Sequence, residues 1–324
     1  MHPLAIYYDL QIAILLVASG AVCFLLHRDR LKTPRSWAAR SPRIAKTVAT
    51  LAGCAFALVF YGSFIEPRII TVTRADVTLT DEHRLTAPVR IAVLSDFHVG
   101  PYKRERFVRR VVSDVLKLHP DVVLLAGDFV YTDDGTAEWI HLAPLRELAA
   151  AVPTLAVFGN HDTGLGDEYR YIERPGDVEA IKQVLRDAGI KTLENEHAIL
   201  EAGGVRIAVA GLTELRTGRT NPLRALQGIP AEVPRIVLAH NPGVISFLDP
   251  RTTDLVVTGH THGGQIRLPL LPPLVRLPTP LGQRYDNGLF RFNSIPLFIA
   301  RGIGESGPRA RLFAPPEIAV LTIR

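Results

Sequence analysis

The chain has 324 residues, 47% of them hydrophobic, and its 37 Lys and Arg against 32 Asp and Glu give a formal net charge of +5 at pH 7. Residues 27–46 hold seven cations and one anion, so this segment carries +6 and the remainder of the chain sums to −1. A nucleic-acid-binding domain would need a basic face of its own, so the nearly neutral remainder does not indicate a nucleic-acid-binding protein. The two cysteines both lie within apolar segments, so the larger part of the chain has neither a disulfide framework nor a thiolate metal site.

Two apolar runs lie near the start of the chain, at residues 10–26 and 47–64. Each has about the length that an α-helix needs to cross a bilayer, and neither shows the amphipathic period of a buried helix pair in a soluble core. The first run lacks a basic start, which argues against a cleaved signal peptide. We predict a membrane anchor at residues 1–68, a transmembrane helical hairpin with helices at about 10–26 and 47–64 and a basic loop at 27–46.

The basic loop also predicts the orientation of this hairpin. Short loops rich in Lys and Arg stay on the cytoplasmic side of a membrane. Both ends of the hairpin, and the domain that follows at residues 69–324, are therefore expected outside the cytoplasm.

From residue 69 onward strands and helices alternate, and strands dominate towards the end. An exposed edge strand is predicted at 70–77, and buried strands at 89–94, 121–126, 154–158, 205–210, 235–239, 255–257, 297–300 and 318–323. Helices are predicted at 104–118, 137–151 and 177–188. The order predicts a layered α/β domain with a mixed sheet or two packed sheets. Residues 268–280 contain five prolines and are predicted to be a loop.

Polar side chains of a few types follow the ends of five predicted strands. They are Asp96, His98, Asp128, Asn160, His161, His240, His260 and His262. Ligand sites in open α/β sheets lie at the carboxyl ends of strands, so these side chains converge if the strands share a sheet. Taken singly, the aspartates read as helix caps, Asn160 as a turn residue and His240 as a core histidine. Five such coincidences on five strand ends are improbable.

Carboxylate, amide and imidazole groups together are typical ligands of Zn, Mn or Fe. Seven ligands of these types are more than one ion binds, and they suit two divalent metal ions that share one bridging carboxylate. The sequence therefore predicts a binuclear metal centre.

Five short motifs occur in a fixed order. They are Asp96-x-His98, Gly127-Asp128, Gly159-Asn160-His161-Asp162, His240 and Gly259-His260-Thr261-His262. In this order they resemble the motifs of the calcineurin-like metallophosphoesterases, from about Val89 to the C-terminus. The longer Gly-His-Thr-His-Gly-Gly-Gln, with Arg301-Gly-Ile-Gly and Pro316-Glu317-Ile318, is similar to the small bacterial membrane-tethered phosphodiesterase branch, some relatives of which hydrolyse UDP-2,3-diacylglucosamine in lipid A synthesis.

The resemblance implies a four-layer αββα sandwich in a protein of the bacterial inner (cytoplasmic) membrane. It implies that Asp96, His98 and His262 hold one metal ion, that Asn160, His240 and His260 hold the other, and that Asp128 bridges them. His161 is then a catalytic residue that approaches the scissile phosphate, oriented by Asp162. The attacking group is a hydroxide activated by the two metals.

The chain departs from the family's protein phosphatases, which carry arginines beside the second and third motifs. Here Phe129 and Val130 follow Asp128, and Thr163 follows Asp162. We therefore predict a membrane-anchored phosphodiesterase acting on a phosphodiester or lipid-linked phosphate, with no nucleic acid as partner. The alternatives are a UDP-2,3-diacylglucosamine-type pyrophosphate hydrolase of lipid A biosynthesis, and a metal-free scaffold with the same fold.

The proline-rich loop after the last motif is rich in branched aliphatic side chains. They are Leu268, Leu270, Leu271, Leu274, Val275 and Leu277, with Arg267 and Arg276 as the only charges. One interpretation is a loop that covers part of the core. The other is an exposed apolar patch beside the metal site that receives an acyl chain or dips into a bilayer, with the arginines at lipid phosphates.

Overall fold

Two six-stranded β-sheets packed face to face organise the domain. The computed structural model describes residues 3–324 except 34, 80–82, 84, 132–136, 166–177, 270 and 274. The strands of the first sheet, in spatial order, are Thr71–Val77 (β1), Glu317–Ile323 (β12), Val89–Leu94 (β2), Val122–Ala126 (β3), Thr154–Val157 (β4) and Lys191–Thr192 (β5). Those of the second are Gly288–Phe292 (β10), Ile295–Ile299 (β11), Leu255–Thr258 (β9), Arg235–Leu238 (β8), Val205–Gly211 (β7) and Glu196–Ala202 (β6).

Helices cover the outer faces of both sheets, and two long helices precede the domain. The α-helices are Pro3–Lys32 (α1), Trp37–Arg40 (α2), Pro42–Phe60 (α3), Glu105–Leu116 (α4), Leu145–Ala151 (α5), Val178–Asp187 (α6) and Pro222–Leu226 (α7). Three buried clusters fill the spaces between the layers, one between the sheets and one under each helical layer. The predicted four-layer αββα sandwich is confirmed.

Strand β2 shows why its sequence has no polar face. Ile91 and Val93 point into the core between the sheets, whereas Ala92 and Leu94 point under the helices of the first sheet. Alternate side chains of a strand lie on opposite faces, so the part of β2 that is covered on both faces, residues 91–94, is apolar, whereas Arg90 near its start is exposed.

The direction of the strands brings their carboxyl ends together. In the first sheet β2, β3 and β4 are parallel, and in the second β7, β8 and β9 are parallel. The strand-end residues thus come from two stacked sheets rather than from one shared sheet, and they face each other across the same edge of the sandwich.

Some predicted elements differ from the observed ones. The helix predicted at 137–151 is a 3-10 helix at Glu138–Leu142 followed by α5, because Pro144 has no N–H to continue a helical hydrogen-bond ladder. Residue 177, the predicted start of α6, lies outside the described residues. Strands β5, β6 and β10 were not predicted. Gly203 and Gly204, both with positive φ, turn β6 into β7, and a Gly-Gly pair between two apolar runs is a hairpin signal.

The two apolar runs form helices longer than predicted. Residues Ala5–Lys32 and Pro42–Arg68 are long and apolar enough to cross a membrane, judged by length and composition. After α3 the chain continues as a π-helix, Tyr61–Ile65, and a 3-10 turn, Glu66–Arg68. The two helices pack against each other, with the thiol of Cys23 donating to the carbonyl oxygen of Ala49 at 3.2 Å.

The end of this hairpin rests on the loop between β11 and β12. The buried carboxylate of Glu66 accepts hydrogen bonds from the backbone N–H groups of Phe313 and Ala314, at 3.0 and 2.7 Å. The N–H of Arg311 donates to the carbonyl oxygen of Gly62 at 2.8 Å. Because these are buried backbone contacts, the hairpin end and this loop hold each other in place.

Candidate metal centre

Left-handed backbone turns project the predicted ligands from their strand ends. Asp96, His98, Asp128, His260 and His262 have φ angles between 44° and 77°. Non-glycine residues in this region cost about 1 kcal/mol or more each, and they persist only where the surrounding structure holds them. Five of them in one cleft indicate a functional site.

The residues that follow β3 and β4 approach each other closely. A Cβ on Gly159 would lie 2.1 Å from Oδ1 of Asp128, and one on Gly127 would lie 2.6 Å from the N of Gly159. Only glycine fits at these two positions, so the turns after β3 and β4 lie directly against each other.

One group of side chains gathers around His98 and His262. Their Nε2 atoms are 3.2 Å apart, and Nε2 of His262 lies 3.4 Å from Oδ1 of Asp96. All three residues are buried. The three predicted ligands of one ion are thus neighbours.

A second group gathers around His240. Its Nε2 lies 3.1 Å from Oδ1 of Asn160 and 3.0 Å from Nδ1 of His260. These residues come from β4, β8 and β9, in two different sheets. They are also buried, and they are the three predicted ligands of the other ion.

Asp128 lies between the two groups. Its Oδ2 is 3.5 Å from Nε2 of His98 and 3.2 Å from Nε2 of His240, while its Oδ1 accepts the N–H of His161 at 2.9 Å. A carboxylate in contact with both groups has the position that a shared ligand requires.

Backbone carbonyls orient three of the histidine rings. The contacts are His98 Nδ1 to Val130 O at 3.2 Å, His240 Nδ1 to Ala126 O at 2.7 Å and His260 Nε2 to Pro278 O at 2.8 Å. A ring nitrogen that donates to a carbonyl carries the proton of the neutral imidazole. In the neutral ring the opposite nitrogen presents a lone pair to the cleft.

The protonation of the rings suits metal binding. Burial lowers the pKa of His98 to about 3, and burial also holds the pKa values of His260 and His262 well below their ordinary value. Burial acts on His240 in the same direction, but the carboxylate of Asp128 overcomes it and raises the pKa of His240 to about 10. A divalent cation between these two residues would take the place of that proton.

The donor set as a whole fits a cation. Imidazole nitrogens, carboxylate oxygens and an amide oxygen approach one another within 3.0–3.5 Å, and these are electron-pair donors that repel unless positive charge lies among them. Three overlapping sets of residues have ligand atoms within 4.8 Å of one another: Asp96 with His98 and His262, His98 with Asp128 and His161, and Asp128 with His240 and His260. Mixed N and O donors suit Zn, Mn or Fe.

The family follows from comparison with known proteins. Residues 89–264 match the family model of the calcineurin-like phosphoesterases. The chain belongs to this family. It is a metallophosphoesterase, a hydrolase of phosphoesters, and members of the family use divalent metal ions.

Several relatives match along most of the chain. The phosphodiesterase YaeI of Escherichia coli is 30% identical over 280 residues, 86% of this chain and 96% of the relative. The uncharacterized metallophosphoesterase YkuE of Bacillus subtilis is 27% identical, over 82% of this chain and 89% of the relative. The UDP-2,3-diacylglucosamine pyrophosphatase LpxG of Chlamydia trachomatis is 26% identical, over 81% of this chain and 91% of the relative.

His161 of this metallophosphoesterase lies at the rim of the two groups. Its half-buried ring stands edge-on to the ring of His98, with centroids 4.6 Å apart. Its Nδ1 lies 2.7 Å from the carbonyl oxygen of Tyr131, so Nδ1 carries a proton and Nε2 is left for other partners.

Asp162 has a different role from the predicted one. Its carboxylate accepts the backbone N–H groups of Asp128, Phe129, Val130 and Gly159, at 2.7–3.3 Å. The predicted contact with the ring of His161 is wrong, because that ring is oriented by the carbonyl of Tyr131 instead. Burial, with the nearby charge of Asp128, raises the pKa of Asp162 to about 7. Asp162 therefore positions Asp128 by holding the turns after β3 and β4 together.

Sequence reasoning missed two residues near the site. Arg311 is fully buried, and its guanidinium donates to the carbonyl oxygens of Arg301, Gly302 and Ala314 and lies 3.4 Å from Nδ1 of His262. No local motif marks it, since its guanidinium donates mainly to backbone carbonyls of its own loop between β11 and β12.

Glu214, the second missed residue, is buried beyond the end of β7, and its carboxylate accepts the N–H of Arg216 at 2.6 Å. Burial raises the pKa of Glu214. The side chain of Arg216 in turn lies 3.4 Å from Nε2 of His260. The strand-end rule that found the other residues, applied to β7, would have found Glu214.

A cavity of about 380 Å³ opens over the metal centre. Its inner wall includes Asp128, Asn160, His161, His260 and His262. Its outer wall comes from the proline-rich loop at residues 275–278 and from Ser306 and Pro308. The inner wall of the cavity thus consists of predicted ligand residues and His161.

The Asp162→Asn variant tests the positioning role of this carboxylate. The amide NH₂ would face backbone N–H groups that need acceptors, so we expect the midpoint of thermal unfolding to fall, in line with a loss of about 1–3 kcal/mol. We also expect the transition-metal content by elemental analysis to fall, because Asp128 is no longer held.

Asp254→Asn is the matched control. This buried carboxylate accepts the N–H of Arg235 at 2.7 Å in a contact remote from the metal centre. It should lower stability without changing metal content. A normal metal content in Asp162→Asn would refute the positioning role.

Proposed function

We propose that this metallophosphoesterase is a membrane-anchored phosphodiesterase that works with two divalent metal ions. The observation that carries the proposal is the contact of one carboxylate, that of Asp128, with both groups of ligand side chains. The match to the phosphodiesterase YaeI, which extends over 96% of that relative, also supports it.

Each ion has its own set of residues in this proposal. Asp96, His98 and His262 hold one, Asn160, His240 and His260 hold the other, and Asp128 is shared. Zn, Mn and Fe all suit these donors. Such ions supply the positive charge that activates water and neutralises the phosphate.

His161 acts on the leaving group. Its Nδ1–H is occupied by the carbonyl of Tyr131, and the residue lines the cavity over the metal centre. Its Nε2 is the atom that can deliver a proton to the departing oxygen or hydrogen-bond to the phosphate. Asp162, bound to the backbone around Asp128, keeps the geometry in which this happens.

The residues beside Asp128 favour a diester over a phosphoprotein. Phe129 and Val130 are buried apolar side chains, and Thr163 hydrogen-bonds to backbone carbonyls of its own turn. None of them offers the charge that clamps a phosphate monoester. Within the described residues, Arg276 is the arginine that lines the cavity.

Asp128→Asn and His161→Ala test this assignment by their different effects. Asp128→Asn should abolish hydrolysis of bis(p-nitrophenyl) phosphate and lower metal content, since the shared charge is lost. His161→Ala should keep the metal and lose about 10²–10⁴-fold in kcat for a diester with a poor leaving group. The loss should be smaller for nitrophenolate, which needs no proton.

Glu201→Gln, an exposed neutralising change, should leave both activity and metal content unaltered. Wild-type turnover by Asp128→Asn with full metal content would exclude the shared-carboxylate arrangement. An equal loss for good and poor leaving groups in His161→Ala would leave charge stabilisation as its role.

The anchoring and its orientation are part of the proposal. Two helices long and apolar enough to cross a membrane are separated by residues 33–41, and seven basic residues lie within and beside this segment, at residues 28–46. A reporter inserted after Ser36 should read as cytoplasmic, and one fused after Arg324 as extracytoplasmic. A cytoplasmic C-terminus would instead favour a pyrophosphate hydrolase with a cytosolic nucleotide substrate.

A lipid-linked substrate is the second candidate, and the exposed side chains of the proline-rich loop beside the cavity favour it. Leu271 and Val275 of the proline-rich loop are 51% and 63% exposed, whereas Leu277 is 4% exposed and belongs to the core. Leu270 and Leu274 lie outside the described residues. Arg267 is paired with Asp286 at 2.6 Å. Of the two arginines predicted to contact a lipid phosphate, Arg276 is therefore the one that remains a candidate.

The position of the cavity relative to the first apolar helix also supports this candidate. Pro308 lines the cavity, and the next residue, Arg309, pairs with Asp9 of α1 at 3.2 Å. An apolar cavity rim would then lie close to a bilayer surface, where an acyl chain can reach it. LpxG, a pyrophosphatase of a diacylated sugar nucleotide, is a relative of this chain.

The double variant Leu271→Ser/Val275→Ser tests the lipid substrate. It should spare hydrolysis of bis(p-nitrophenyl) phosphate and raise KM for an acylated diester or pyrophosphate dispersed in detergent micelles. Leu223→Ser, at an 85% exposed leucine on α7, is the control and should affect neither. Equal losses on both substrates would exclude an acyl-binding rim.

A further inference from the structure

A second cavity lies where the hairpin meets the catalytic domain. It has a volume of about 650 Å³. We name it the junction pocket, and its lining residues with charged side chains are Arg68, Lys103, Arg104, Arg106, Arg110, Glu305 and Arg309. The wall on one side is the turn after α3, and the wall on the other is the start of α4.

The junction pocket is strongly positive. Six cationic side chains and one carboxylate line it, and ion pairs neutralise only some of the positive charges. Lys103 pairs with Glu305 at 3.1 Å, and Arg309 pairs with Asp9. Arg110 has a long contact of 3.7 Å with Asp114.

Three arginines of the pocket have no acidic partner. In the part of the chain that the structure describes, no carboxylate oxygen lies within 4.0 Å of the guanidinium groups of Arg68, Arg104 or Arg106. Arg104 and Arg106 are exposed at the mouth of the pocket. Uncompensated guanidinium groups around one concave site attract a phosphate, which they can bind through paired N–H donors.

The floor of the pocket is rigid. Lys103 is 4% exposed, donates to the carbonyl oxygen of Pro67 and lies 3.9 Å from the ring centroid of Phe107. Arg110 donates to the carbonyl oxygen of Arg68 at 3.0 Å. These contacts join α4 to the turn after α3, so the pocket exists before any ligand binds.

The surroundings of the pocket are those of a membrane interface. It lies at the end of the second apolar helix, beside Phe64, whose ring is covered by the guanidinium of Arg309 at 4.6 Å. Tyr102 lines the pocket and donates to the carbonyl oxygen of Ala5 in the first apolar helix at 3.1 Å. Aromatic and basic side chains at one level are typical of the headgroup region.

We propose that the junction pocket binds the phosphate of an anionic phospholipid headgroup. The inference rests on the proposed membrane anchoring, since it is the anchor that brings headgroups to this level. The pocket is separate from the metal centre, because the two cavities share no lining residue. Its occupant is therefore distinct from the substrate of the metal centre.

Native mass spectrometry of the full chain from detergent micelles tests this site. With phosphatidylglycerol present, we expect one tightly retained lipid per chain, and with phosphatidylcholine none. In Arg104→Gln/Arg106→Gln, retention of phosphatidylglycerol should fall about 25-fold, since each cation near an anionic lipid surface is worth about fivefold in affinity. Hydrolysis of bis(p-nitrophenyl) phosphate should be unchanged.

Arg206→Gln/Arg224→Gln removes two exposed arginines away from the pocket and should retain the lipid. Equal retention by the pocket variant and the wild type, or equal retention of both lipids, would overturn the proposal. Displacement of phosphatidylglycerol by millimolar inorganic phosphate would also overturn it, by assigning the site to a free phosphate.

Alkaline carbonate extraction of membranes separates this inference from the anchoring on which it rests. Release of the chain would refute the anchoring. A chain that stays in the membrane but shows no preference for phosphatidylglycerol would refute the junction pocket alone.

Discussion

The candidate metal centre depends on the placement of one buried carboxylate, that of Asp128. Its N–H is held by Asp162, its Oδ1 accepts the N–H of His161, and its Oδ2 faces a histidine of each ligand group. This geometry requires the turns after β3 and β4 to touch, which Gly159 permits because it has no side chain. Without that contact the ligands from the two sheets would have no common partner.

The sandwich supplies the rigidity that such a site needs. Left-handed turns at five ligand positions are unfavourable locally, and they are stable because each follows a strand that is buried on both faces. Two parallel strand sets with their carboxyl ends at one edge then place acceptor atoms within 3.0–3.5 Å of each other. The free energy of core packing thus maintains a cluster that repels itself until a cation is present.

The loop between β11 and β12 links the hairpin to the metal centre. Its Arg311 donates backbone N–H to Gly62 at the end of the hairpin, while its side chain lies beside His262. The same loop supplies Ser306 and Pro308 to the cavity wall. The hairpin end and the wall of the cavity are thus connected through one loop.

The sequence alone determined the strand-end residues and the layered α/β class, because apolar runs followed by Asp, His or Asn are local patterns. It also determined the two long apolar helices. Only the tertiary structure decided that the ligands come from two stacked sheets and that Asp162 binds backbone N–H groups around Asp128. It likewise decided that Arg311 lies beside His262. These contacts join residues far apart in the chain, and the pairing depends on how the two sheets stack, which no local pattern in a sequence encodes.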